Sequence, residues 1–130
     1  MKKWFLFILL LQCFPLSSLA GQVEVVFAEF SKQGNGWHAS VTLKHADKGW
    51  DHYANAWQVV DEAGNLLGER ILYHPHEHEQ PFTRSLSQIK SPVGSTIVYV
   101  EGRDSVHGTS KSRVRVDLST SEGDRYKVKR

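Results

Sequence analysis

The fold class follows from eight residues, WHASVTLK at positions 37–44. Apolar Trp37, Ala39, Val41 and Leu43 alternate there with polar side chains, which is typical of a β-strand that buries one face and exposes the other. Comparable runs occur at 23–30, 53–61, 66–73, 82–89, 96–104 and 113–118. Because helical periodicity is almost absent, the sequence predicts an all-β protein.

Turn sequences separate these seven runs, among them QGNG at 33–36, DEAGN at 61–65 and SPVG at 91–94. Seven short strands in about 100 residues, broken by such turns, are typical of a two-sheet sandwich. We therefore predict a seven-stranded antiparallel immunoglobulin-like (fibronectin III-like) sandwich. Trp57, in the third run, is the expected core anchor, although the paired cysteines of antibody domains are missing.

The first twenty residues have the pattern of a Sec signal peptide. Lys2 and Lys3 precede an apolar stretch at 4–14 that is too short to span a bilayer, and small residues end at Ala20. We expect cleavage after Ala20 and a periplasmic or secreted product. Cys13 follows a glutamine where a lipoprotein signal needs a small residue, so we interpret it as an ordinary leader residue.

Cleavage would leave a β-sandwich domain at 21–119 and a flexible basic C-terminal tail at 120–130. The formal net charge of +2 would fall to 0, since the leader contributes two lysines and no acidic residue. Nucleic acids and anionic membranes attract basic surfaces, so we expect neither as a partner of the mature protein. Residues 21–130 contain no cysteine, so the fold must depend on its core rather than on disulfides.

Six of the seven histidines fall in three connections between predicted strands. If the seven predicted strands are numbered in chain order, the connections between strands 2 and 3, 4 and 5, and 6 and 7 lie at one pole of an antiparallel sandwich. The connections between strands 1 and 2, 3 and 4, and 5 and 6 lie at the opposite pole. The first set contributes His45 and His52, then His74, His76 and His78, and finally His107. The second set contains no histidine. Imidazoles that lie far apart in the chain are therefore predicted to meet at one pole.

Imidazoles combined with carboxylates suit Zn²⁺ or Cu²⁺, so the sequence predicts a transition-metal site at this pole. Residues spaced by two in an extended HPHEH segment at 74–78 would lie about 6.5–7 Å apart. A metal site would therefore need a histidine from another connection. The predicted ligands are His52, His74, His76 and His107, with Asp51, Asp104 or Glu79 as a fourth ligand or supporting carboxylate.

The same residues also fit other interpretations. Loop histidines are commonly solvated, and His74, His76 and Arg84 could instead form a buried hydrogen-bonded network that locks the loops together. His45 ends the inward-facing series of the strand at 37–44, so a structural role suits its position as well as a ligand role does. The protein could also be a non-enzymatic interaction domain that docks on another envelope protein.

We predict that the protein is not an enzyme. Asp104, Ser105 and His107 lie within four residues of one another, whereas the members of a catalytic triad normally converge from distant segments. The sequence also lacks a zinc-protease HExxH motif and a glycine-rich phosphate loop.

Three strings give the chain a family resemblance: GWDHYANAW at 49–57, HPHEHEQPFTRSL at 74–86 and DSVHG at 104–108. Together they resemble an uncharacterised family of small exported proteobacterial proteins. Position 78 is variable in the family pattern. The resemblance implies a shared sandwich fold and an exported location, and it implies no activity. The positions that fit the pattern are His52, His74, His76, Glu79, Gln80, Arg84 and His107.

Overall fold

Nine β-strands and no helix make up residues 21–130, the part of the chain that the computed structural model describes. The predicted signal peptide at 1–20 lies outside the described residues. The strands are β1 (Glu24–Gln33), β2 (Gly36–Lys44), β3 (Ala54–Asp61), β4 (Leu66–Ile71), β5 (Phe82–Ile89), β6 (Ile97–Asp104), β7 (Gly108–Asp117), β8 (Glu122–Gly123) and β9 (Tyr126–Lys129). Within this range no helix has the length and apolarity to cross a membrane.

The strands form two sheets that pack as a sandwich. One sheet has five strands in the order β5-β2-β1-β9-β8, and the other has four in the order β4-β3-β6-β7. The strand pairs are antiparallel except for β1 and β9, which run parallel. The prediction of an all-β, two-sheet antiparallel sandwich is therefore confirmed at this level.

The core lies between the sheets and includes the predicted inward faces. The apolar residues of β2 are all buried, with Trp37 at 5% exposure and Ala39, Val41 and Leu43 at 0%. Trp57 of β3 is also fully buried, as expected of the core anchor. Burying an apolar side chain of this size contributes about 1.5–3 kcal/mol or more, so these positions hold the two sheets together.

The β6–β7 connection is shorter than predicted. We expected β7 to begin near 113, but it begins at Gly108, and Asp104 pairs with Gly108 across the turn. Gly108 has a φ of 73°, which glycine adopts without steric cost. The connection therefore shrinks to three residues at 105–107, and His107 is held close to the end of β6.

The prediction of a flexible tail at 120–130 is wrong for Tyr126–Lys129, which form β9. Tyr126 and Val128 are buried, and β9 pairs with β1 in the register Ala28↔Tyr126. The physical reason is that β2 covers only one edge of β1, so the other edge has free hydrogen-bonding groups that β9 satisfies. The alternation YKVK at 126–129 is too short to stand out in the sequence.

Candidate metal centre

Three connections meet at one pole of the sandwich, as the strand order predicts. They are the β2–β3 loop (45–53), the β4–β5 loop (72–81) and the β6–β7 turn (105–107). The backbone N–H of His76 donates to Asp47 Oδ2 at 2.8 Å, which joins the first two loops. The His52 ring lies 3.0 Å from Asp104 Oδ1, at the base of the third. The prediction that these connections share a pole is confirmed.

The histidines at this pole form two groups rather than one. The first group, which we call the His52 cluster, consists of His45, His52, His107, Asp104 and the carbonyl of Gly21. The second consists of His74 and His76, whose ring centroids lie 4.7 Å apart. Asp47 lies between the groups, because one carboxylate oxygen contacts the His45 ring and the other accepts the His76 N–H.

The centre of the His52 cluster is a set of closely spaced nitrogen and oxygen atoms. His52 Nε2 lies 3.3 Å from His45 Nε2 and 3.0 Å from Asp104 Oδ1. His107 Nδ1 lies 3.1 Å from the same oxygen of Asp104. One ligand atom from each of His45, His52 and Asp104 falls within 4.8 Å of the others.

Asp104 supplies the buried negative charge of the cluster. Its side chain has 0% exposure, and its Oδ1 accepts the backbone N–H groups of Val106 and His107 at 2.9 and 2.7 Å. Burial alone would raise the pKa of Asp104, but these two N–H groups and the His107 ring outweigh it, so the pKa lies below its usual value. Oδ2 is buried and has no hydrogen-bond partner within residues 21–130. The carboxylate is therefore charged and only partly satisfied.

Asp47 fixes the orientation of the His45 ring. Its Oδ1 lies 2.5 Å from His45 Nδ1 and also accepts the Ala54 N–H at 3.0 Å. Both side chains are buried, with exposures of 1% for His45 and 0% for Asp47. A carboxylate that accepts the Nδ1–H of an imidazole leaves Nε2 to act as a metal ligand, and such pairs are common behind metal-binding histidines. In this cluster His45 Nε2 points at His52 and Gly21.

Two imidazole nitrogens share one acceptor oxygen at the centre of the His52 cluster. His45 Nε2 and His52 Nε2 lie 2.8 and 3.0 Å from the Gly21 carbonyl oxygen, an acceptor. Without a cation, His45 would need protons on both ring nitrogens to satisfy Asp47 and Gly21 together. A metal ion would replace the proton on Nε2, and Nδ1 would keep its proton for Asp47. Ligand atoms bound at about 2.0–2.1 Å lie about 2.9 Å apart at right angles and about 3.4 Å apart in a tetrahedron, which matches the spacings here.

His76 belongs to a different environment. Its ring stacks on Phe82 with a centroid distance of 4.1 Å, and Arg84 Nη2 donates to His76 Nε2 at 3.0 Å. Burial, together with the neighbouring Arg84 and His74, lowers the pKa of His76 below its usual value. A guanidinium at this distance occupies the lone pair and repels a second cation. Of the predicted network, the hydrogen bond between His76 and Arg84 is therefore present, whereas His74 is exposed. His76 is poorly placed as a ligand.

The remaining predicted ligands are exposed. Asp51 is exposed, and His74 Nδ1 contacts the neighbouring Pro75 carbonyl at 3.2 Å. Glu79 is an exposed side chain 3.5 Å from Arg84. Of the seven proposed positions, the structure brings together His52, Asp104 and His107.

The sequence analysis missed one member of the cluster, Gly21, left His45 undecided and did not select the supporting carboxylate of Asp47. His45 follows the same alternation as the inward-facing residues of β2, so its burial could be predicted. Its contact with His52 depends on the fold of the β2–β3 loop. Asp47 is buried but was not selected, because nothing in the sequence distinguishes it from a solvated loop aspartate. Gly21 enters the cluster through its backbone, which leaves no sequence signal.

The chain is similar to a protein of Halomicrobium mukohataei named "Putative lipoprotein", with 46% identity over 90 residues. The match covers 69% of this chain but 44% of that protein, so the chain spans less than half the length of this relative. No protein-family model matches the chain, and no solved structure matches it.

Proposed function

We propose that the protein is an exported binding module that takes up a transition-metal ion, Zn²⁺ or Cu²⁺, in the His52 cluster. His45 Nε2, His52 Nε2 and the Asp104 carboxylate are the principal ligands, and His107 completes the set. The observation that carries the proposal is the convergence of two imidazoles and a buried carboxylate within 4.8 Å. Neutral imidazole with supplementary carboxylate is a ligand set that these two metals accept.

The role we propose is binding rather than catalysis. Ser105 Oγ accepts the Tyr53 N–H at 3.0 Å, which engages this hydroxyl in joining two loops. Metal handling or protection in the cell envelope fits a small module whose ligands are partly accessible, with side-chain exposures of 20% for His52 and 36% for His107.

Two further parts of the proposal concern location and family. The name of the Halomicrobium mukohataei relative supports an exported or envelope-associated protein of an uncharacterised family. Periplasmic location, cleavage after Ala20 and the proteobacterial distribution of the family are predictions that extend this. That name also makes lipidation of Cys13 the competing outcome, which the intact mass of the exported protein distinguishes.

We also propose an immunoglobulin-like, fibronectin III-like topology. The strand order supports it, with β5-β2-β1 in one sheet and β4-β3-β6-β7 in the other. Immunoglobulin-like domains likewise distribute seven strands over two packed sheets, three in one and four in the other. Strands β8 and β9 extend the first sheet beyond that plan.

Calorimetric titration of the mature protein with Zn²⁺ and Cu²⁺ tests the metal proposal. We expect one equivalent to bind with a dissociation constant below micromolar, and we expect His52→Ala to abolish binding. His38→Ala is the matched control, because His38 lies on the polar face of β2 with its Nδ1 2.9 Å from Ser87 Oγ. Binding weaker than micromolar, or binding unchanged in His52→Ala, would remove the proposal.

One observation favours a second candidate function, an interaction domain for another envelope protein. Three exposed apolar side chains occur in the same three connections as the histidines: Trp50 at 67%, Tyr73 at 73% and Val106 at 59% exposure. Exposed apolar side chains that form a continuous patch are typical of docking surfaces. A partner captured by the mature protein in the presence of a chelator, and lost with Trp50→Ala, would favour this function over metal binding.

A further inference from the structure

We propose that the α-amino group of Gly21, created when the leader is removed after Ala20, is itself a ligand of the metal in the His52 cluster. The inference rests on the proposed metal-binding function and makes the complete site a product of leader cleavage. In this arrangement the terminal nitrogen and the carbonyl oxygen of Gly21 chelate the ion from one side, while His45 and His52 bind from the other.

The position of Gly21 carries the inference. Its carbonyl oxygen lies 2.8 Å from His45 Nε2 and 3.0 Å from His52 Nε2, so the residue contacts two imidazoles that are seven positions apart. A β-carbon built on Gly21 would lie 2.9 Å from His107 Cε1 and 3.2 Å from His52 Cε1. Three imidazoles thus surround this one residue, and its φ of 80° also favours glycine.

The two residues that follow Gly21 fix it at this place. The Val23 side chain is buried and covers Gly102 of β6 so closely that a β-carbon at 102 would lie 2.5 Å from Val23 Cγ1. The Gln22 side chain accepts the Lys111 N–H at 3.0 Å through its Oε1. The chain is therefore anchored to both β6 and β7 immediately after Gly21, which holds the start of the mature protein in the cluster.

The chemistry explains why cleavage would matter. In the precursor the Gly21 nitrogen is an amide, and because its lone pair is delocalised into the adjoining carbonyl, the neutral amide nitrogen is a poor metal ligand. After cleavage it is an amine, and an amine and a carbonyl oxygen on the same residue close a five-membered chelate ring. Two imidazole nitrogens, an amine nitrogen and the oxygens of Gly21 and Asp104 make the kind of tetragonal N,O set that Cu²⁺ prefers. The structure therefore favours Cu²⁺ over Zn²⁺ for the processed protein.

The test compares three forms of the protein by Cu²⁺ titration: the chain that begins at Gly21, the same chain with its α-amine acetylated, and the chain that retains Ala20. We expect acetylation, and retention of Ala20, each to weaken Cu²⁺ binding by about tenfold or more, as the loss of a group next to a metal commonly does. His52→Ala serves as the reference in the chain that begins at Gly21, where it should abolish binding.

Labelling provides a second, independent readout. If only the glycines carry ¹⁵N, the imidazoles keep ¹⁴N, and a ¹⁵N coupling in the electron paramagnetic resonance spectrum of bound Cu²⁺ identifies the Gly21 amine. Equal affinities in all three forms without this coupling, with binding still lost in His52→Ala, would overturn the role of the amine and leave the metal site standing. No micromolar binding by any form would overturn both. An exported protein whose intact mass starts at a residue other than Gly21 would also overturn the inference.

Discussion

The ring of His52 lies 3.0 Å from Asp104 although the two residues are 52 positions apart. Strands β3 and β6 are antiparallel neighbours, and Ala54 at the start of β3 pairs with Asp104 at the end of β6. His52 precedes Ala54 by two residues, so the pairing of β3 with β6 places the His52 ring beside the Asp104 carboxylate. The core of the candidate site is therefore set by strand register rather than by loop composition.

Replacement of Asp104 by asparagine tests the charge of this carboxylate. Asp104→Asn keeps an oxygen for the N–H groups of Val106 and His107 but removes the negative charge. We expect the affinity for Zn²⁺ or Cu²⁺ to fall about 10–100-fold, measured by calorimetric titration, with an unchanged circular dichroism spectrum. Asp51→Asn is the control, since Asp51 is exposed. Equal affinity in both variants would exclude Asp104 as a ligand.

The double variant His74→Ala, His76→Ala separates the two histidine groups. We expect it to retain metal affinity within about threefold, because Arg84 already occupies His76 Nε2 and loss of a true ligand would cost more. The same double variant should unfold at a lower urea concentration, since the ring of His76 stacks on Phe82 in the buried interior. Loss of metal binding in this variant, with the fold intact, would show that His74 or His76 is a metal ligand.

The lowered pKa of His76 predicts a pH-dependent stability. In the unfolded chain His76 protonates near its usual value of about 6.5, whereas the folded protein resists protonation until a lower pH. The unfolded state therefore binds more protons between these two pKa values, so the free energy of unfolding decreases as the pH falls through that window.

Urea unfolding at pH 7.5 and pH 5, with a chelator present, measures this effect. The wild-type protein should lose more stability between the two pH values than His76→Gln does. His78→Gln is the matched control, because His78 is an exposed histidine in the same loop. An equal pH dependence in the wild-type protein and in His76→Gln would contradict the proposed burial of a neutral ring.

Strand β9 should contribute measurably to stability. Val128 is 5% exposed within the core, so Val128→Ala should lower the free energy of unfolding by about 2 kcal/mol. Lys127→Ala, on the exposed side of the same strand, should change it by less than about 0.5 kcal/mol. Chemical denaturation of both variants provides the comparison, and identical stabilities would mean that the strand is not part of the folded domain.

Much of the fold could be predicted from the sequence because burial imposes a period of two on each strand. The first seven strands appear close to their expected positions, with Trp57 in the core. Strand β9 was missed because its alternation covers only four residues and its partner is β1, about 100 positions earlier. A short segment gains stability only from the edge that it covers, and that edge exists only in the folded sandwich.

The pole at which histidines would collect was determined by the sequence alone, since chain order decides which connections share an end of an antiparallel sandwich. The division of those histidines was decided by tertiary structure. Arg84 and Phe82 hold His76 in one environment, while Asp47 and Asp104 orient His45, His52 and His107 in another. The physical reason is that an imidazole is chemically ambivalent: it can stack, accept, donate or bind a metal, and only the groups within about 3–4 Å of each ring select among these roles.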